Sequence, residues 1–277
     1  MAYQHELVLP NEDLPFKIFL FEGKNGNYVR EKHWHRSIEI FAVLEGTLHF
    51  FLNDTRRTLH SGEFVIVNTN EIHSIFAPVE NTTIVIQIPL KFFEHYYVKE
   101  NIIWFSHDNT EYDAQIVALI RRIYKVYEEK SLGYELQMQS IFYQLIYIWI
   151  TKYRWNEIEP EVIKANRKLE RLGYITAHIR ENYREDLSLE GLAKTFGYSP
   201  TYLSKMFRRY AQMNYKDYIQ NVRLEYAYQD LEHTDDSISE VAINNGFANG
   251  KAMAKAFRKK YGVLPSQFKR QIIEKKK

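Results

Sequence analysis

One helical signature occurs twice between Leu187 and Arg270, and it restricts the fold more than any other feature of the chain. The first copy runs Leu187-Ser-Leu-Glu-Gly-Leu-Ala193, Phe196-Gly-Tyr-Ser-Pro200 and Thr201-Tyr-Leu-Ser-Lys-Met-Phe-Arg-Arg-Tyr210. The second runs Ile238-Ser-Glu-Val-Ala242, Asn245-Gly-Phe247 and Gly250-Lys-Ala-Met-Ala-Lys-Ala-Phe-Arg-Lys-Lys-Tyr261. In each, a short helix with apolar residues three or four apart meets a glycine turn, and a second helix follows that is apolar on one side and basic on the other. This pattern predicts two helix-turn-helix units. Gly197 and Gly246 stand where the turn needs positive φ or a close backbone approach. Leu203, Met206 and Phe207, like Met253, Ala256 and Phe257, recur at helical spacing and face a core. Thr201, Ser204, Lys205 and Arg208 are left on the opposite side in one copy. Gly250, Lys251, Ala254, Lys255 and Arg258 are left there in the other.

Tyr215 to Leu231 joins the units, with Tyr218, Ile219, Val222, Tyr226 and Leu231 near helical spacing. About 16 helical residues span roughly 24 Å, so the recognition helices are expected about one DNA turn, roughly 34 Å, apart. Net charge over the 277 residues is only +2, but it is divided unevenly. Asn166 to Lys277 carries 21 Lys/Arg against 13 Asp/Glu, a surplus of eight, while Met1 to Ala165 carries 16 against 22. The basic half is the nucleic-acid candidate. Thr201, Ser204 and Lys205 on the first recognition helix, and Lys251, Lys255 and Asn249 on the second, suit base-edge contact. Arg208, Arg209, Arg258, Lys259 and Lys260 lie toward the helix ends and suit phosphate. Each of these charges also reads as a solvated side chain. Tyr202 is expected to pack or touch backbone.

Over more than eighty residues the segment resembles the DNA-binding domain of the AraC/XylS family of bacterial transcription regulators. Matching positions include Leu189, Leu192, Ala193, Gly197, Ser199, Leu203, Phe207, Tyr218, Arg223, Ala227, Leu231, Ile238, Val241, Ala242, Gly246, Phe247, Phe257, Arg258, Gly262 and Pro265. Gln212 departs by replacing the usual glycine after the first recognition helix. Lys255 replaces the usual Arg, and an ammonium lacks the guanidinium fork that grips guanine. The resemblance implies double-stranded promoter DNA as partner, RNA polymerase as a second partner, a homodimer, transcriptional activation and a small-molecule effector of the carbohydrate class.

The upstream half reads differently. Short β-branched and aromatic runs broken by turn residues predict strands at Lys17 to Phe21, Ile38 to Leu44, Thr47 to Leu52, Phe64 to Val67, His73 to Ala77 and Thr83 to Ile88. Glu45-Gly46 and Asn53-Asp54 mark tight turns. Together these imply a small antiparallel barrel or jelly roll able to enclose one ligand. Within it His33-Trp-His35, Glu39 and Gly46, then Gly62-Glu63 and His73, resemble the two motifs of the cupin superfamily, with Asn68 and Asn70 departing from the second. His33 and His35 share strand parity with Glu39 and are expected to converge, while Trp34 packs outside. Three readings compete for His33, His35, Glu39 and His73. They hold a divalent metal, since imidazole and carboxylate suit zinc, manganese or iron. Or they form a metal-free effector pocket, or they only satisfy buried polar groups.

Leu90 to His107 is rich in aromatics, which close a barrel mouth, cover an apolar face or stack on a sugar. Tyr112 to Lys130 and Gln137 to Tyr153 predict a helical hairpin through Ser131-Leu-Gly133. The family resemblance makes that hairpin a dimer element; packing on its own barrel is the alternative. Glu157-Ile-Glu-Pro-Glu161 reads as a hinge. Leu169, Leu172, Ile175 and Ile179 predict a helix ending near Tyr183, and Asp186 or Ser188 caps the next. The tail, Glu274 to Lys277, is expected to be solvated.

The predicted class is α+β: a cupin-like barrel at 1–107, a helical hairpin at 108–155, a linker at 156–166 and an all-α double helix-turn-helix domain at 167–277. Without cysteine there is no disulfide, thiolate nucleophile or cysteine-bound zinc. The first residues lack a basic then apolar leader pattern, and no apolar run suffices to span a bilayer, so a cytoplasmic location is expected. The expected protein is a non-enzymatic regulator with no catalytic residue and no cofactor beyond a divalent metal in the barrel. The rivals are a metal-dependent cupin enzyme with a DNA-binding appendage and a ligand-independent dimeric DNA binder.

Overall fold

The computed structural model describes the chain apart from residues 1–3, 7, 12, 24–27, 53–54, 98–102, 109, 156, 159 and 276–277. It divides into two compact units, Met1–Glu170 and Arg171–Lys277.

Among the described residues the first unit holds nine strands: β1 (Gln4–His5), β2 (Lys17–Glu22), β3 (Tyr28–Trp34), β4 (Ile38–Glu45), β5 (Thr47–Leu52), β6 (Thr55–His60), β7 (Phe64–Val67), β8 (His73–Ala77) and β9 (Thr82–Ile88). They form a five-stranded sheet, β1-β3-β8-β5-β6, and a four-stranded sheet, β2-β9-β4-β7. All pairings are antiparallel except β1 with β3. Period-two alternation sorts the four-stranded sheet into two cores. Phe41 and Val43, Val65 and Val67, and Val85 meet Leu48, Phe50, Leu59 and Ile75 of the other sheet. Ile38, Ile40 and Ala42, Phe64 and Ile66, and Ile84, Ile86 and Ile88 turn to the helices α1 (Asp113–Glu129) and α2 (Tyr134–Ile148). A sheet covered on both faces reads as continuous apolar runs. That is why its strands are visible in the sequence.

Three strands escaped the sequence pattern. Both β3 and β6 are largely exposed, with sequences Tyr-Val-Arg-Glu-Lys-His-Trp and Thr-Arg-Arg-Thr-Leu-His. Solvated, charged strands lack an apolar period, and β6 is an edge whose charges discourage further pairing. With two residues, β1 is too short to show any period. The turn expected at Asn53-Asp54 lies outside the described residues.

The aromatic stretch packs on the helices. It forms a 3-10 turn at Leu90–Tyr96 with Phe93 buried, 5.3 Å from Phe105, which lies 5.7 Å from Trp149. Phe16 stacks on Phe142 at 4.1 Å, fixing α2 to the barrel. The hairpin therefore packs on its own barrel, and α2 keeps Leu136, Tyr143 and Tyr147 exposed. After a π-helical turn at Trp149–Tyr153, α3 (Pro160–Glu181) begins inside the expected linker. Proline, read in the sequence as a hinge, is preorganised for the first helical position and starts the helix instead.

In the second unit α4 (Leu189–Thr195) and α5 (Pro200–Met206), then α7 (Ile238–Asn244) and α8 (Gly250–Tyr261), form the two units expected, joined by α6 (Tyr215–His233) and closed by α9 (Pro265–Lys275). Nineteen residues of α6 span about 28 Å. Phe207 packs on Tyr215 and Tyr218 at 5.4 and 5.3 Å near one end. Toward the other end Leu224, Ala227 and Leu231 join Val241, Phe247, Met253 and Phe257 in a separate core. Gly197 and Gly246 have φ of 70° and 74°. A Cβ on Gly246 would meet the Arg184 backbone at 3.0 Å, so this turn needs glycine twice over.

Candidate DNA interface and effector site

The recognition helices are equivalent at an offset of fifty residues. Leu203, Met206 and Phe207 are buried, as are Met253, Ala256 and Phe257. Thr201, Lys205 and Arg208 are exposed, as are Lys251, Lys255 and Arg258; Ser204 is half-buried. Each helix thus offers a cationic face with its apolar face anchored. The N-caps are equivalent too. Ser199 accepts from the Tyr202 N–H, and Asn249 accepts from the Ala252 N–H at 2.9 Å. The Asn249 side chain is thereby held at the start of α8 as its N-cap, with its amide N–H groups directed to DNA contact only from that fixed position. Lys260 is likewise engaged, 2.5 Å from Glu225, which weakens its assignment to phosphate. Gln212 takes the left-handed conformation, φ 55°, at the position where the family resemblance puts glycine.

In the barrel His33, His35, Glu39 and His73 come together, fully buried, with one ligand atom from each inside 4.8 Å of all the others. The route differs from the strand parity read in the sequence. His33 is paired with His73 across β3 and β8; the chain bends at Arg36 and Ser37. Glu39 therefore arrives from the facing sheet, in β4. Trp34 points away from the cluster but is fully buried, edge-on to His5 at 4.5 Å.

The hydrogen bonds assign the histidine tautomers. Nδ1 of His33 lies 2.8 Å from the Glu31 carbonyl, that of His35 3.1 Å from the Ser37 carbonyl and that of His73 3.0 Å from the Glu71 carbonyl. Carbonyl oxygens only accept, so all three Nδ1 atoms carry hydrogen and all three Nε2 atoms face inward. His35 Nε2 and His73 Nε2 each lie 2.9 Å from Glu39 Oε2. The His73 contact has no hydrogen-bond geometry, leaving a buried, orphaned nitrogen. Gln87 donates to Glu39 Oε1 at 2.7 Å and fixes the carboxylate.

Burial would raise the Glu39 carboxyl; where the imidazoles are protonated, the charge and hydrogen bond of His35 and the charge of His73 outweigh it and hold the group well below the carboxylate range. The same opposition at Glu6, where burial is overcome by the hydrogen bond and charge of His33, holds its carboxyl at about 2. Glu6 Oε2 is 3.1 Å from His33 Nε2. The donor set fits a divalent metal. Donors bound at about 2.1 Å lie at most roughly 4.2 Å apart, so a spread of 4.8 Å closes with a small inward movement. Backbone carbonyls holding each Nδ1–H are the outer support that metal-binding imidazoles use.

Gln87 and Glu6 were missed in the sequence. Gln87 did leave a signal, as the polar residue in Ile84-Val-Ile-Gln-Ile88 on the inward parity of Val85. Glu6 left none. Among the described residues no helix is long and apolar enough to cross a membrane.

Comparison with known proteins agrees with both halves. Residues 15–146 match the AraC-like ligand binding domain and residues 192–271 a helix-turn-helix domain. An HTH-type transcriptional regulator of Staphylococcus aureus (strain COL) is 22% identical over 239 residues, covering 84% of this chain and 31% of its own length. The chain thus spans about a third of that relative. The HTH-type transcriptional regulator YdeC of Bacillus subtilis (strain 168) is 21% identical over 257 residues, 86% of this chain and 85% of YdeC. An apo structure of a ToxT variant from Vibrio cholerae superposes with a TM-score of 0.56 at 14% identity, covering 92% of this chain and 97% of that one, a likeness of fold. With its barrel matched to one domain model and its paired helical units to the other, the chain belongs to the AraC family of transcription regulators, with an N-terminal AraC-like ligand-binding domain.

Proposed function

We propose that the chain regulates transcription by binding promoter DNA through both helix-turn-helix units, with its affinity set by occupancy of the barrel site. The carrying observation is the repetition itself: two recognition helices with equivalent anchors and equivalent outward cations. A connecting helix of about 28 Å suits two units in successive major grooves on one side of a duplex. Lys205 and Lys255 are the central base-edge candidates, with Thr201, Ser204 and Lys251 beside them, and Arg208 and Arg258 are the phosphate candidates. Hydroxyl-radical footprinting on promoter fragments tests this: two protected patches about one turn apart are expected, and uniform binding to any duplex refutes it.

A specific observation favours a metal-dependent barrel over a metal-free one. Three inward Nε2 atoms around one buried carboxylate need positive charge among them, and the buried His73 Nε2, which no hydrogen bond satisfies, fits a metal ion better than a proton. His33, His35, His73 and Glu39 would hold the ion, which supplies Lewis acidity toward an oxygen donor on the effector. A carbohydrate, the class suggested by family resemblance, has such donors in its hydroxyls. The cupin-enzyme rival uses the same residues, and substrate turnover lost with the metal would favour it. Activation, with its RNA polymerase partner, is tested by promoter fusions. The outward α2 stripe of Leu136, Tyr143 and Tyr147 is proposed as the homodimer contact.

A further inference from the structure

We infer that Glu6 is a further ligand of the barrel metal, completing a set of three imidazoles and two carboxylates. This rests on the reading of the barrel as a metal site. Glu6 is delivered by β1, which runs parallel to β3 with Gln4 opposite His33 and His5 opposite Trp34. Its N–H donates to the Trp34 carbonyl at 2.8 Å, and His5 packs edge-on against the buried Trp34 ring. The two carboxylate oxygens are divided. Oε1 takes Arg30 Nη2 at 3.2 Å, and Oε2 faces His33 Nε2 at 3.1 Å. Donors in neighbouring positions on one ion at about 2.1 Å are separated by roughly 3.0–3.4 Å; Glu6 already has that separation from His33, and ligation brings it nearer the other three, whose ligand atoms group with His33 within 4.8 Å.

The chemistry points the same way. The Nδ1–H of His33 is spent on the Glu31 carbonyl, so its Nε2 faces the Glu6 oxygen at 3.1 Å either with a second proton between them or, as a neutral imidazole, lone pair to lone pair. A metal ion takes the place of that proton. Glu6 also adds a second carboxylate charge beside Glu39 to a divalent ion with neutral imidazoles, while Arg30, at the far oxygen, is half exposed and screened by solvent. Arg30 is a positioning residue: it holds the far oxygen so that the near one faces the site.

The test is Co2+ affinity of the full-length protein by chelator competition, with the d–d absorption spectrum as a second readout. Glu6→Gln should raise the Kd by ten- to a hundredfold and alter the spectrum, and Glu6→Ala should regain part of the affinity in acetate, which refills the vacated position. Arg30→Ala, which keeps the carboxylate, should raise the Kd less than Glu6→Gln, and His35→Ala should abolish stoichiometric binding. If Glu6→Gln binds Co2+ within threefold of the parent with an unchanged spectrum while His35→Ala does not bind, Glu6 is no ligand and the four-residue site survives. If the parent protein itself takes up no Co2+, Zn2+, Mn2+ or Fe2+, the metal reading falls and this inference with it. Far-UV circular dichroism of the ion-free variants separates lost ligation from lost fold.

Discussion

Replacing Lys205 and Lys255 by alanine, singly and together, tests whether two equivalent helices read DNA independently. The two lysines stand at the same place on α5 and α8, exposed beside buried Leu203 and Met253. Neither supports the fold, so unfolding midpoints should stay put. A side chain that reads a base edge contributes about 1–3 kcal/mol, so each single variant should lose roughly 5- to 150-fold in specific affinity. Their cores are separate, one around Phe207 and one around Phe257. The losses should therefore add to within about 0.5 kcal/mol, giving roughly 2–6 kcal/mol for the pair. Fluorescence anisotropy on a footprinted promoter duplex, with random duplex as competitor, supplies both affinities. If each variant lost affinity equally on specific and random duplex, the lysines would be phosphate contacts. A pair that lost no more than one single variant would refute reading by two helices.

Three further outcomes follow from the geometry. Arg258→Ala should flatten the slope of log K against log salt by about 0.9, whereas Lys260→Ala, already paired with Glu225, should change it much less; equal slopes would contradict this. Gln212→Gly relieves a left-handed residue and should stabilise the DNA-binding unit by about 0.5–1 kcal/mol, seen as a higher urea midpoint, whereas an unchanged or lower one would show no strain there. Tyr147→Glu places a charge on the exposed α2 stripe and should shift light-scattering mass from dimer to monomer, while a parent already monomeric at micromolar concentration would remove that face from consideration.

What the sequence made legible follows burial. Strands β4, β7 and β9 are covered on two faces, so their apolar runs announced them, and the recognition helices carried their period in Leu203, Met206 and Phe207 and again fifty residues on. Solvated β3 and β6 had no period to show. Pro160 was ambiguous by nature, since proline marks a break or a first helical turn with equal local chemistry. The histidine motif named by spacing four residues that converge in the barrel, although its strand parity misassigned how Glu39 reaches the others. Glu6 enters from 27 residues upstream through β1, whose two residues carry no pattern, and only the fold brings it beside His33.

The most direct test measures promoter affinity of one protein preparation with the barrel site loaded with metal and stripped by chelator, at fixed salt. If the barrel governs DNA binding, the two dissociation constants will differ by at least about fivefold, the lower end of ordinary coupling between sites, and His35→Ala will abolish the difference. Identical constants for loaded and stripped protein, with metal stoichiometry verified in each, would contradict it.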